Sequence, residues 1–249
     1  MIPVRYPEGL VHGFLTLRSL DGGALADGDL VQSVRGDRVT SRLILHFRDG
    51  SLHDETAVFT QTRAFRLVSD HLVQKGPAFE RPMDVSIDAG SGSVAVRYSE
   101  DGREKTISER LELPPDVANG MILTLLKNLD PRVPLTTVAM VAATPKPRLV
   151  HVAISPAGED PLTVGRSQRK ATHFVAHVEI GGLAGLVAPL IGKQPADTHV
   201  WVLEGDAPAF VGAEGPLAMG GPSWRLELAS PASPRGAPKR LSRAEPGTP

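Results

Sequence analysis

Residues 38–68 constrain the fold more than any other stretch. They read RVTSRLILHFR, then Asp49-Gly50, then SLHDETAVFTQTRAFRLV. Polar and apolar residues alternate on both sides of the Asp-Gly pair, and successive side chains of a strand point to opposite faces. An Asp-Gly pair between two alternating runs specifies a β-hairpin, because a type I′ turn needs positive φ at both central residues. The pattern recurs: MDVSIDA and SVAVRYS flank Gly90-Ser91-Gly92, and a third reversal at Asp101-Gly102 returns through KTISERLEL. Such a chain builds a sheet from long, consecutive, antiparallel strands.

The periodicity changes after Leu113. Pro114 and Pro115 stop the strand, and Asp116 is placed to cap a helix over VANGMILTLLKNLD, with Pro131 just past its end. Val117, Met121, Leu125 and Leu129 recur every fourth residue. Ile122, Leu123 and Leu126 widen that stripe, which predicts a short helix buried on most sides. Strands are expected again at residues 148–155, 162–164, 172–180, 198–203, 209–211 and 223–228. Glu214-Gly215-Pro216 reads as a turn, and Trp201 and Trp224 read as core residues. Residues 181–193, GGLAGLVAPLIGK, interrupt the series, with Leu183, Leu186 and Leu190 at helical spacing. They are either an apolar lid over a ligand cavity or a core helix linking two strands. From Pro231 onward the chain has almost no core-forming residues and is expected to be disordered. The expected organisation is one β-rich domain over residues 1–230 with a tail at 231–249. The fold class is mainly β (α+β), a strongly curved antiparallel sheet around one or two short helices.

Composition removes several functions. Lys and Arg (27) nearly balance Asp and Glu (28), so no basic face is expected and nucleic acid is not an expected partner. Aromatic residues are only 4%, which argues against stacking platforms for single strands. There is no cysteine, so disulfides, thiolate metal sites, cysteine nucleophiles and lipidation at cysteine are excluded. No apolar run approaches the roughly 18 residues that cross a bilayer. The start, MIPVRYPEGLVHGF, lacks a basic-then-apolar signal. The expected location is therefore cytoplasmic, or exported and periplasmic if a signal has been trimmed. No cofactor is expected, and the oligomeric state is open.

Long meandering strands, one central helix and further strands, joined through LELPPDVANGMILTLLKN, resemble the bacterial lipoprotein-carrier half-barrel superfamily, and most of all its uncharacterised periplasmic members. The likeness covers the layout of the chain to about Ser230. It implies a curved sheet with an apolar concave face that holds acyl chains or other hydrophobic molecules. One relative of that fold is an enzyme of pigment biosynthesis, but no catalytic motif of the superfamily matches residues here.

Candidate sites follow from the hairpin. A two-residue loop pairs His46 with His53 across the ladder, about 5 Å apart at Cβ, with Glu55 on the same face. Two imidazoles and a carboxylate can hold a divalent metal or form an acid–base cluster. The same face also carries Arg42 and Arg48, the mark of solvated strand surface, and no metal is expected. The opposite face carries Leu43, Leu45, Phe47, Leu52 and Val58, with Asp54 and Thr56 among them. There Asp54 either contacts a ligand or lies in water at the sheet rim. His173 and His177 would lie about 13 Å apart on one strand, too far to share an ion, and read as a polar outer face. The leading expectation is a non-catalytic binding or carrier protein for a hydrophobic small molecule or lipid, with Asp54, Thr56, Met121, Leu183, Leu186 and Leu190 as ligand contacts. The alternatives are an enzyme acting on a small apolar metabolite through His46, His53, Glu55 or Asp54, and a structural or interaction protein.

Overall fold

A computed structural model of the chain describes residues 1–100, 102–164, 167–179 and 195–229. The first block of strands is a meander: β1 (Val11–Ser19), β2 (Ala24–Arg35), β3 (Arg38–Phe47), β4 (Leu52–Gln61), β5 (Phe65–Lys75), β6 (Met83–Asp88), β7 (Ser93–Glu100) and β8 (Arg103–Arg110). A connecting strap at residues 111–121 leads to the helix α1 (Ile122–Asn128). The second block comprises β9 (Thr136–Ala142), β10 (Arg148–Val164), β11 (Ser167–Glu179), β12 (Thr198–Leu203), β13 (Ala209–Pro216) and β14 (Ser223–Leu228). All fourteen form one antiparallel sheet, ordered from β8 back to β1, then β14 back to β9. The pairing of β1 with β14 joins the blocks in the middle. The sheet is curved but not closed, so β8 and β9 are its two borders. Bulges between Leu17 and Arg18, Val58 and Phe59, and Trp201 and Val202 help to bend and twist it.

The two-residue period turns one face of the sheet inward. Leu17, Val39, Leu45, Phe59, Val94 and Val96 are completely buried there. The strap and α1 fill part of the concavity, with Met121, Leu125 and Leu126 joining the same core. Each such side chain contributes about 1.5–3 kcal/mol when fully buried, so apolar contact is what holds the helix to the sheet.

The two borders are protected differently. β8, REKTISER, presents alternating charges, which discourages strand addition. At β9 the strap substitutes for a strand. The Ala118 N–H donates to the Ala139 carbonyl at 2.9 Å. The Asn119 side-chain amide donates to the Val141 carbonyl at 2.9 Å and accepts from the Val141 N–H at 2.8 Å. Asn119 is buried, so Asn119→Ala leaves two backbone groups unpaired and is expected to cost about 2 kcal/mol. Urea unfolding measures this, and a loss below about 0.5 kcal/mol would show that water takes over the bonds.

The structure corrects several expectations. The loop after β3 has three residues, Arg48, Asp49 and Gly50, not two. The Gly50 N–H donates to the Phe47 carbonyl at 3.1 Å and the Phe47 N–H to the Ser51 carbonyl at 2.9 Å. Only Gly50 needs positive φ (86°), and the Asp49 carboxylate accepts from the Ser51 N–H at 2.9 Å. This is a type I turn followed by a bulge glycine. His46 therefore lies opposite Leu52, and Leu45 opposite His53. One step of register turns all of β4 over.

The helix starts at Ile122 rather than after Asp116, and its N-cap, Met121, makes no side-chain cap bond. Gly120, at φ 63°, breaks the helical path just before it. Glu214-Gly215-Pro216 is part of β13, not a turn. Residues 162–164 continue β10 rather than forming a strand of their own. Trp201 lies on the outer face, whereas Trp224 packs edge-on against Phe47 and Phe79 with centroids 5.4 and 6.3 Å away. Leu183, Leu186 and Leu190, with the rest of residues 181–193, lie outside the described residues, as does the tail at 231–249.

Candidate functional site

Register places four polar side chains along the inner face of β4 and β5, His53 beside Gln74 and, further along, Glu55 near Asp70. His53 lies opposite Gln74, Glu55 opposite Leu72, and Ala57 opposite Asp70. Leu45 and Leu43 of β3 flank them. His53 and Glu55 thus share a face as the sequence suggests, but that face points into the concavity. The strap crosses directly above. A Cβ built on Gly120 would come within 2.6 Å of Asp70 Oδ1 and 2.7 Å of Ala57 Cβ. Only glycine fits that crossing.

The hydrogen bonds fix the chemistry at His53. Gln74 Nε2 donates to the Leu217 carbonyl at 2.7 Å and lies 3.1 Å from His53 Nδ1. A carbonyl only accepts, so the amide turns its NH2 to both partners and His53 Nδ1 accepts. The ring proton then resides on Nε2, which has no partner. Burial holds His53 down to about 4, only partly opposed by the charge of Asp54. The ring is therefore neutral at physiological pH.

The carboxyls behave in the opposite sense. Burial lifts Glu55 to about 7, although the residue keeps some accessible surface. Burial, and then the charge of Glu55, push Asp70 well above the usual carboxylate range. Two like charges this close disfavour double ionisation. Asp70 Oδ1 is likewise without a partner. At neutral pH the cluster offers the His53 N–H, a carboxyl proton and a carboxylate acceptor on an otherwise apolar wall.

A second buried polar group sits at the other end of the concavity and behaves differently. Glu8 Oε2 accepts from Gln32 Nε2 and from Lys127 Nζ, each at 2.6 Å. Gln61 Oε1 accepts from the Glu8 N–H at 2.6 Å. These groups are partnered and staple the N-terminal segment to α1. Nearby, a cleft of about 280 Å³ opens between α1 and the inner faces of β11 and β12, lined by Arg5, Lys127, Thr172, Phe174, Val202 and Glu204 among others.

The remaining sequence candidates are dispersed. His46 is exposed on the outer face. Asp54 is also on the outer face, bound by Arg42 through Nε at 2.8 Å and Nη2 at 2.6 Å. The hydrogen bond from Arg42 is what holds its carboxyl below the usual range. Thr56 shares that outer face, opposite Arg42. Met121 is core, 1% exposed. Asp70 and Gln74 were not anticipated. The bulge at β4–β5 pairs Val58 with Ser69 but Phe59 with Leu67, so one extra residue in β5 brings Asp70 inward. No alternation rule signals that step.

Among the described residues, no group of three or more His, Asp or Glu is arranged to hold a metal ion, and no helix is long and apolar enough to cross a membrane. No family model matches the chain, and no curated protein matches it. Among solved structures it is similar to a beta-barrel-like protein of a domain of unknown function, DUF1849, from Brucella abortus. The identity is 10% over 92% of this chain and 97% of that one, with a TM-score of 0.45.

Proposed function

We propose that this chain is a non-catalytic binding or carrier protein for a small hydrophobic molecule or an acyl chain, held on the concave face with its polar end at His53, Glu55, Asp70 and Gln74. One observation carries this reading. Among the described residues, His53 Nε2 and Asp70 Oδ1 are the two buried side-chain polar atoms without a hydrogen-bond partner, and both lie on the inner face of the β4–β5 pair, four residues apart along the ladder. Leaving such a group unpaired costs about 1–3 kcal/mol, which an occupant with a hydroxyl, carboxyl or carbonyl end recovers. Binding sites of this kind are mostly apolar, with a few convergent polar groups.

The strap is the natural way in. Among the described residues its hydrogen bonds run to β9, to Gly92, to α1 and within itself, and none runs to β4 or β5. It can part from the inner strands without opening a sheet ladder. The resemblance to lipoprotein-carrier half-barrels supports the same class of ligand.

Native mass spectrometry of protein purified from its own host tests the proposal. The expected result is an added mass of one hydrophobic molecule, released by organic extraction. A dansylated undecanoic acid probe should then bind the extracted protein in a one-to-one ratio, at least about tenfold more weakly in Asp70→Leu. No added mass and no saturable probe binding would remove the carrier reading.

The lifted Glu55 and Asp70 favour a second reading, an enzyme using one carboxyl as acid and the other as base on a small apolar metabolite. It predicts that the extracted molecule is chemically altered on return to the wild-type protein and unaltered with Glu55→Gln.

A further inference from the structure

On the opposite, outer face of the sheet, β11 and β12 bring two histidines together. His173 lies opposite Trp201, so His199 is its diagonal neighbour two residues along β12, and His173 Nε2 approaches His199 Nδ1 to 2.9 Å. The Trp201 ring stacks on His173 at 4.8 Å with planes 12° apart. Its indole N–H donates to Asp160 Oδ2 at 2.7 Å. That same carboxylate oxygen lies 3.7 Å from His173 Nδ1. We infer that His173 and His199 form a bidentate site for a tetragonal divalent transition metal, Cu2+ above all, with Asp160 orienting His173 from behind.

Three features carry the inference. The first is the bite. Two nitrogens about 2.05 Å from one metal and about 90° apart lie about 2.9 Å from each other, which matches the observed separation. A right angle is the tetragonal preference of Cu2+ and Ni2+, and imidazole suits both.

The second is the tautomer. The Asp160 carboxylate lies 3.7 Å from His173 Nδ1, beyond hydrogen-bond reach, and its charge favours the tautomer with the proton on Nδ1, which turns the Nε2 lone pair towards His199. In the metal-free protein, His199 Nδ1–H fills the gap as donor. On binding, that proton moves through water to His199 Nε2, and the cation takes the two lone pairs. A carboxylate behind a ligand histidine is the recurrent second layer of metal sites. Here Trp201 fixes the carboxylate in turn.

The third is local charge. Asp160 is anionic, and Glu214 lies directly across the ladder from His199, bound to Arg225 Nε at 2.7 Å. With two protein ligands, the other equatorial positions fall to water or to an exogenous donor, so the site suits reversible metal capture rather than a structural ion. Three other outer-face histidines each meet one carboxylate instead: His12 with Asp29, His71 with Asp84 and His177 with Asp197.

Titration of metal-free protein with CuCl2, followed by tryptophan fluorescence and by electron paramagnetic resonance, tests the site. Expected are one equivalent bound with Kd below about 1 μM, quenching of the Trp201 emission, and hyperfine coupling to two nitrogens. Asp160→Asn should weaken binding about 10–100-fold, His173→Ala and His199→Ala should abolish the stoichiometric phase, and His177→Ala should change nothing. Binding that survives His199→Ala within about threefold, or a one-nitrogen spectrum from the wild-type protein, overturns the inference.

Discussion

Gly120→Ala is expected to destabilise the protein by about 4 kcal/mol, the sum of two costs of roughly 1–3 kcal/mol each. The first is conformational: Gly120 sits at φ 63°, where a Cβ is disfavoured. The second is steric. The new methyl would meet Asp70 Oδ1 at 2.6 Å and Ala57 Cβ at 2.7 Å. Neither can yield easily, because Asp70 is 3% exposed and the Ala57 methyl is fixed to the β4 backbone. The strap must lift. Gly22→Ala separates the two costs, since Gly22 has φ 95° with nothing within 4 Å of the added methyl. It should lose only about 1–2 kcal/mol. Denaturant unfolding of both variants decides the matter. Equal losses would mean that the strap does not press on the inner strands.

Stability should fall between pH 5 and pH 8, and Asp70→Asn should remove much of that fall. The sign follows from the raised carboxyls. Glu55 titrates near 4.5 unfolded and near 7 folded. Between those values the unfolded chain releases a proton that the folded protein keeps, so stability drops as pH rises. Asp70 is displaced in the same direction. Below pH 4.5 the Glu55 penalty vanishes, because that carboxyl is protonated in both states. His53 works from the other side. Its folded value of about 4 against 6.5 unfolded makes stability fall as pH drops through that window. Between about pH 4.5 and 6.5 His53 and Glu55 therefore oppose one another, so His53→Gln should steepen the fall there, while Glu55→Gln or Asp70→Asn should flatten the alkaline limb. Thermal melts of the four proteins from pH 4 to pH 8.5 read this directly. An alkaline limb unchanged in both carboxyl variants would show that the pair is solvated rather than enclosed.

The sheet was legible in the sequence because alternation and turn glycines are local signals. β12 and β14 fall at the residues the alternation indicates. Register was less accessible. The pair at Asp49-Gly50 announces a reversal but not its length, and the decisive bonds, from Phe47 to Ser51 and from Ser51 to the Asp49 carboxylate, depend on which residues the core draws inward. His53 and Glu55 were singled out together, yet on the face opposite to the one they occupy. Asp70 could not be placed, because an unpaired residue in β5 breaks the count. The cap expected of Asp116 failed for a tertiary reason: the strap must stay extended enough to reach β9 through Asn119. The His173–His199 contact joins residues 26 apart in sequence, and no local pattern encodes it.

The unlike treatment of the two borders has a mechanical consequence. One rim is sealed by a side-chain amide standing in for a neighbouring peptide, the other by charges that repel company. The molecule thereby avoids self-templating without joining its ends. Its girth is left free to change, like a cuff rather than a ring, and a bulky ligand of the proposed kind would be admitted by spreading the gap rather than by tearing a seam.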